Sequence, residues 1–144
     1  PDVYKLIQNE NIYGVLDVGG NDDGAISLAS VSQNLEDDQY EMNFVINTMR
    51  PSTNSLEGIK DMKERIEAKS KLSFDNIICN INLGKETTIE NIKEGYPLVK
   101  KASEELNLPI KFIAIYDKLL PLNSNNNFEE EIFPVELYMN TPWD

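Results

Sequence analysis

Short, almost uninterrupted apolar runs recur along this chain, each followed by a stretch whose apolar residues keep helical spacing. This alternation constrains the fold more than any other feature. The runs are Ile12–Val18, Tyr40–Asn47, Phe74–Ile81 and Lys111–Tyr116. Strands without polar alternation are those buried on both faces, as in a parallel sheet between two layers of helices. The order β-α-β-α-β-α-β therefore predicts an α/β fold, with a mostly parallel sheet flanked by helices on both faces in a three-layer αβα arrangement.

The intervening segments carry their own signals. Asp2 to Asn9 reads as a short helix with Val3, Leu6 and Ile7 on one side. After Gly19-Gly20 and the turn Asn21-Asp22-Asp23-Gly24, the set Ala25, Ile26, Leu28 and Ala29 opens a helix running to about Leu35, with Asp22 as a candidate cap. Leu56, Ile59, Met62 and Ile66 recur at spacings of three, three and four, an amphipathic stripe. Thr87 or Thr88 caps a further helix in which Ile89, Ile92, Tyr96, Val99, Ala102 and Leu106 keep one phase. Pro97 lies inside that stripe and lacks a backbone donor, so a kink or a new helix start is expected near Gly95. The chain of 144 residues reads as one domain, 1–144. Within it, 121–144 forms a polar loop (Asn123-Ser124-Asn125-Asn126-Asn127) and a C-terminal arm or short strand that packs back on the rest.

Charge narrows the function classes. There are 13 Lys and Arg against 25 Asp and Glu, a net charge of −12, and no histidine. Such a surface repels phosphate backbones and anionic membranes, so no direct nucleic-acid binding is expected. No apolar run reaches the roughly 20 residues that span a bilayer. Without histidine there is no His-based triad, no His-bearing zinc site and no imidazole acid–base catalysis. The single Cys79, in a buried strand, behaves as a small apolar side chain and fits a reducing cytoplasm.

In open α/β sheets, ligands bind beyond the carboxyl ends of the strands. Those ends are Asp17-Val18-Gly19-Gly20, Asn47-Thr48, Asn80-Ile81-Asn82 and Tyr116-Asp117. A carboxylate at a strand tip can order a magnesium-bound water, since Mg²⁺ keeps several waters and needs few direct carboxylates. Glycines beside it let backbone N–H groups approach a terminal phosphate. The same residues also read as a turn cap and the glycines that permit it, and Asn80 also reads as a residue that merely ends a strand. Asp22 and Asp23 beside Asp17 form a weaker metal reading. Lys100-Lys101 and Glu129-Glu130-Glu131 read as solvated surface charge.

The stretch YGVLDVGGNDDGAISLA resembles the Walker B and switch II region of the ParA/MinD-like P-loop ATPases, which include the nitrogenase iron protein. The resemblance continues through VINTMRP, then DNIICNINLG with KETT, and ends with FIAIYDKLLPL, covering most of residues 10 to 122. It implies a P-loop NTPase-like sheet and Mg-ATP binding with slow hydrolysis, often at a homodimer interface. Asp17 would match the acid that holds the magnesium water. Gly19 or Gly20 would match the glycine that senses the γ-phosphate. Asn80 would match the asparagine that reads adenine, with Asp117 on the same base-binding side. A carboxamide presents a donor beside an acceptor, complementary to the N6 and N7 edge of that base.

One departure limits what this chain could do alone. A P-loop ATPase needs a GxxxxGK[ST] loop, whose N–H groups and lysine hold the phosphates, and none occurs here. The family places that loop upstream of the Walker B strand, and 16 residues precede Asp17. The expectation is thus the C-terminal portion of a cytoplasmic ATPase switch, incomplete at its N-terminus and inactive without the upstream segment. The other expectation is a non-catalytic interaction module that binds a protein partner through its acidic surface or a strand edge.

Overall fold

A computed structural model of the chain describes residues 11–20, 22–33, 35, 40–122 and 128–138. The described elements run in the order α1 (Asp22–Ser32), β1 (Asn43–Ile46), α2 (Leu56–Ser70), β2 (Asn76–Cys79), α3 (Ile89–Leu106), β3 (Ile110–Tyr116) and β4 (Ile132–Val135). Short 3-10 turns lie at Pro51–Thr53 and Asp117–Leu122. All four strands pair in parallel, in the order β1-β2-β3-β4. The α/β class and the parallel sheet expected from the alternating pattern are thus present.

The helices form where their local signals place them. Ser55 caps α2 by accepting from the Gly58 N–H at 3.1 Å, and Lys71 closes it in the left-handed region at φ 63°. Thr88 and Asn91 cap α3 reciprocally: the Asn91 N–H donates to the Thr88 hydroxyl, and the Thr88 N–H donates to Asn91 Oδ1. The predicted stripes face inward. Ile59 from α2, together with Ile92, Val99 and Ala102 from α3, reaches zero exposure. These side chains pack against Phe44, Ile46, Ile77, Cys79, Ile113 and Ile115, which alternate along β1, β2 and β3. Phe44 and Phe74 stack at 4.7 Å where the sheet begins. This one-sided alternation means that the described helices of the core cover one face of the sheet.

One expectation is corrected. Ile12–Val18 forms no strand: it is irregular, with Tyr13 and Val15 fully exposed. A strand needs a neighbouring ladder, and no described strand lies beside this segment; Leu16 and Val18 sit instead against α1. Of the two outcomes expected at Pro97, a new helix start does not occur: α3 is one helix from Ile89 to Leu106. Pro97 costs only the donor for the Lys93 carbonyl, and buried residues on both sides of it hold the helix together. The C-terminal arm takes the short-strand form expected of it. Residues 132–135 are a true strand, with Ile113 opposite Ile132 and Ala114 opposite Phe133. The predicted helix Asp2–Asn9, the acidic residues 36–38, the loop 123–127 and Trp143 lie outside the described residues.

Candidate functional site

The carboxyl ends of β1 and β2 are joined by a network of carboxamides. Asn47 follows β1, and its Oδ1 accepts from the N–H groups of Met49 at 3.0 Å and Asn82 at 3.2 Å. Its Nδ2 donates to the Asn82 carbonyl at 2.8 Å, so one side chain ties two strand-end loops together. Asn82 in turn donates from Nδ2 to both the carbonyl and Oδ1 of Asn80, each at 3.1 Å. The loop beyond is closed by Thr87, whose Oγ1 accepts from the Leu83 N–H and donates to the Gly84 carbonyl. Buried strand-end backbone groups need such partners, and short Asn and Thr side chains supply them within a few residues.

The expected base-binding pair is therefore unequal. Asn80 is half-buried, and its carboxamide is oriented by Asn82. A carboxamide oxygen accepts two hydrogen bonds and the nitrogen donates two, so Asn80 keeps one acceptor position and its Nδ2 edge. Asp117 is also half-buried and stands at the end of β3, where its Oδ1 is enclosed without a hydrogen-bond partner. Next to it, Lys118 Nζ lies 5.8 Å from the centre of the Tyr116 ring.

Asp17 lies elsewhere. It is exposed and, with Leu16 and Gly19, lines a cavity of about 280 Å³ against Leu28 and Val31 of α1. Neither Asn80 nor Asp117 lines that cavity. Gly19 meets the first turn of α1 closely: a Cβ on Gly24 would come 2.1 Å from the Gly19 carbonyl oxygen. Gly20 has open space around it. The side chains of Asp22 and Asp23 are outside the described set. Among the described residues, no group of three or more Cys, Asp or Glu is placed to hold a metal ion.

Charge and packing lock the elements around these loops. A Cβ on Gly95 of α3 would fall 2.2 Å from Thr48 Oγ1 and 2.8 Å from Ile81 Cδ1, so the helix crosses directly over the end of β1. Thr48 is buried there, with its hydroxyl oxygen unpartnered. Lys100 and Glu130 are partly covered rather than fully solvated as the sequence suggests, whereas Glu129 and Glu131 stay exposed. Lys100 Nζ contacts Glu129 at 2.8 Å and Glu130 at 3.2 Å. The Tyr96 hydroxyl donates to Glu130 at 2.5 Å, and the Tyr96 ring meets buried Phe128 edge-on at 5.0 Å. Burial, and then the bond to Glu130, pushes the Tyr96 hydroxyl up to about 12. Burial, reinforced by the charge of Glu130, pushes the Cys79 thiol up to about 12, which removes it as a nucleophile. These partners are 29 to 34 residues apart, so no local motif announces them. Spacing does announce the Asn80–Asn82 pair, and only the β1–β2 register adds Asn47 to it.

No described helix is long and apolar enough to cross a membrane. No protein-family model, no curated protein and no solved structure matches the chain.

Proposed function

We propose that this chain is the base-binding side of a cytoplasmic ParA/MinD-like Mg-ATP switch, completed by a phosphate-binding segment upstream. The observation that carries this reading is Asn80, held by Asn82 at the carboxyl end of β2 inside an all-parallel sheet, with one acceptor position and its amide edge available. In this reading Asn80 reads adenine and Asp117 lies on the same side. Asp17 orders the magnesium water, and Gly19 or Gly20 contacts the γ-phosphate. The upstream segment supplies the lysine and N–H cradle that phosphoryl transfer requires, and the assembled three-layer domain works as a homodimer.

Calorimetric titration with Mg-ATP tests this, using the chain beside a form extended upstream in its own reading frame. Binding by the extended form, lost in Asp17→Ala and weakened in Asn80→Ala, is the expected result. No binding by either form overturns the reading.

A second reading, a non-catalytic interaction module, is favoured by a separate observation. The sheet face opposite the core is apolar, with its edge residues Val45 52% and Phe133 53% accessible and Ile78, Phe112 and Ala114 between them partly buried. Parallel sheets are ordinarily covered on both faces, so a face of this composition is built to be covered.

A further inference from the structure

The strand register gathers the outward residues into one patch. Val45 lies opposite Ile78, Ile78 opposite Phe112, and Phe133 beside Ala114. The Phe112 and Phe133 rings are 5.0 Å apart. Lys111 is the one charged residue in the four strands; it sits where the β2–β3 register shifts, and it pairs with Glu41. Among the described strand residues, the outward face is therefore free of unpaired charge, on a chain that carries 25 acidic residues against 13 basic ones.

Size and charge select what fits there. Four strands about 4.8 Å apart and mostly four residues long make a face of a few hundred Å². That is short of the roughly 800 Å² per partner that a stable dimer buries, and two copies at −12 repel each other. It matches the width of one or two α-helices, each about 10 Å across. We propose that this face docks an amphipathic helix of a partner protein, with an aliphatic stripe on the Val45–Phe133 row and Lys or Arg flanks that complement the chain's net charge of −12. The inference rests on the second reading above and is independent of nucleotide binding.

The test uses the full chain and a fluorescein-labelled 18-residue peptide of Leu and Lys, with Leu at positions i, i+3, i+4 and i+7 of each repeat. A peptide of the same composition with that periodicity scrambled is the control. Anisotropy titration should show the periodic peptide binding at least tenfold more tightly than the scrambled one. Val45→Asp and Phe133→Asp should each remove most of that difference. Phe133→Ala, which adds no charge, should weaken binding several-fold with the thermal melt unchanged. Equal binding of the two peptides would reduce the effect to charge alone and overturn the proposal. So would unaltered binding by all three variants, failure of the chain to bind the periodic peptide, or light scattering showing that a second copy already occupies the face. Mg-ATP titration of the upstream-extended form reads the nucleotide hypothesis separately, so failure of one does not imply failure of the other.

Discussion

Replacing Gly95 with alanine sets two effects of opposite sign against each other. In an open helix interior, Gly→Ala stabilises by roughly 1 kcal/mol through backbone entropy. Here the new methyl would stand 2.2 Å from Thr48 Oγ1 and 2.8 Å from Ile81 Cδ1. Ile81 Cδ1 is the far end of a flexible side chain, but Thr48 Oγ1 is on a short, buried side chain next to β1. Overpacking of this kind costs about 1–3 kcal/mol, and so short a contact argues for the upper end. The net expectation is a loss of about 2 kcal/mol, which is a fall of roughly 1 M in urea midpoint for a small domain. Thr48→Ala removes the contacted oxygen and leaves the 3.4 Å contact at its Cβ and the 2.8 Å contact to the flexible end of Ile81. Because that oxygen is buried without a partner, the single variant should be nearly neutral. The double variant should then recover most of the loss, giving a coupling of at least about 1 kcal/mol in the mutant cycle. A stabilised Gly95→Ala protein, or a cycle additive to within about 0.5 kcal/mol, would refute the close crossing of α3 over β1.

Three further outcomes are expected. Thr88→Ala should cost about 1 kcal/mol of stability in urea titration by uncapping α3, and Asn91→Ala in the same background should add little, since the two side chains form one box. Tyr96 keeps its proton to about pH 12 in the folded chain against an ordinary 10.0, so its contribution is whole below pH 10 and lost as pH rises through 12. The stability difference between wild type and Tyr96→Phe should therefore shrink between pH 10 and 12; a constant difference would detach the Tyr96–Glu130 contact from stability. With its thiol raised from 9.0 to about 12, Cys79 should alkylate with iodoacetamide roughly a thousandfold more slowly than in the urea-unfolded chain at the same pH; equal rates would contradict its burial.

What the sequence disclosed was local. The spacing of Leu56, Ile59, Met62 and Ile66 marks α2, and Thr88 marks the start of α3, because a helix is closed by bonds between near neighbours. The apolar runs around Ile77 and Ile113 mark β2 and β3, since each is long enough to need burial on its own. Ile12–Val18 carries the same signal as those runs, but strand formation also needs an edge to pair with, and sequence does not report that edge. At the candidate site, Asn80 was legible as a strand-end carboxamide, whereas its orientation depends on Asn47 through Asn82, 35 residues apart. Lys100 and Glu130 read as solvent-facing charge because each sits in an acidic or basic run, and only folding brings them together. Asp17 was singled out by its neighbours in the chain, yet lines a cavity shared with neither Asn80 nor Asp117.

The strand order β1-β2-β3-β4 has a consequence for how the chain acquires its shape. Every strand pairs with the one that follows it in sequence, so Asn43 finds Asn76 and Ile113 finds Ile132 without any intervening strand having to be threaded between them. Closing such contacts costs less loop entropy than inserting a late strand into the middle of a sheet, although parallel pairing across a helix remains non-local. As the chain leaves the ribosome, each new strand meets a neighbour that has already been synthesised, and assembly proceeds by accretion along one direction.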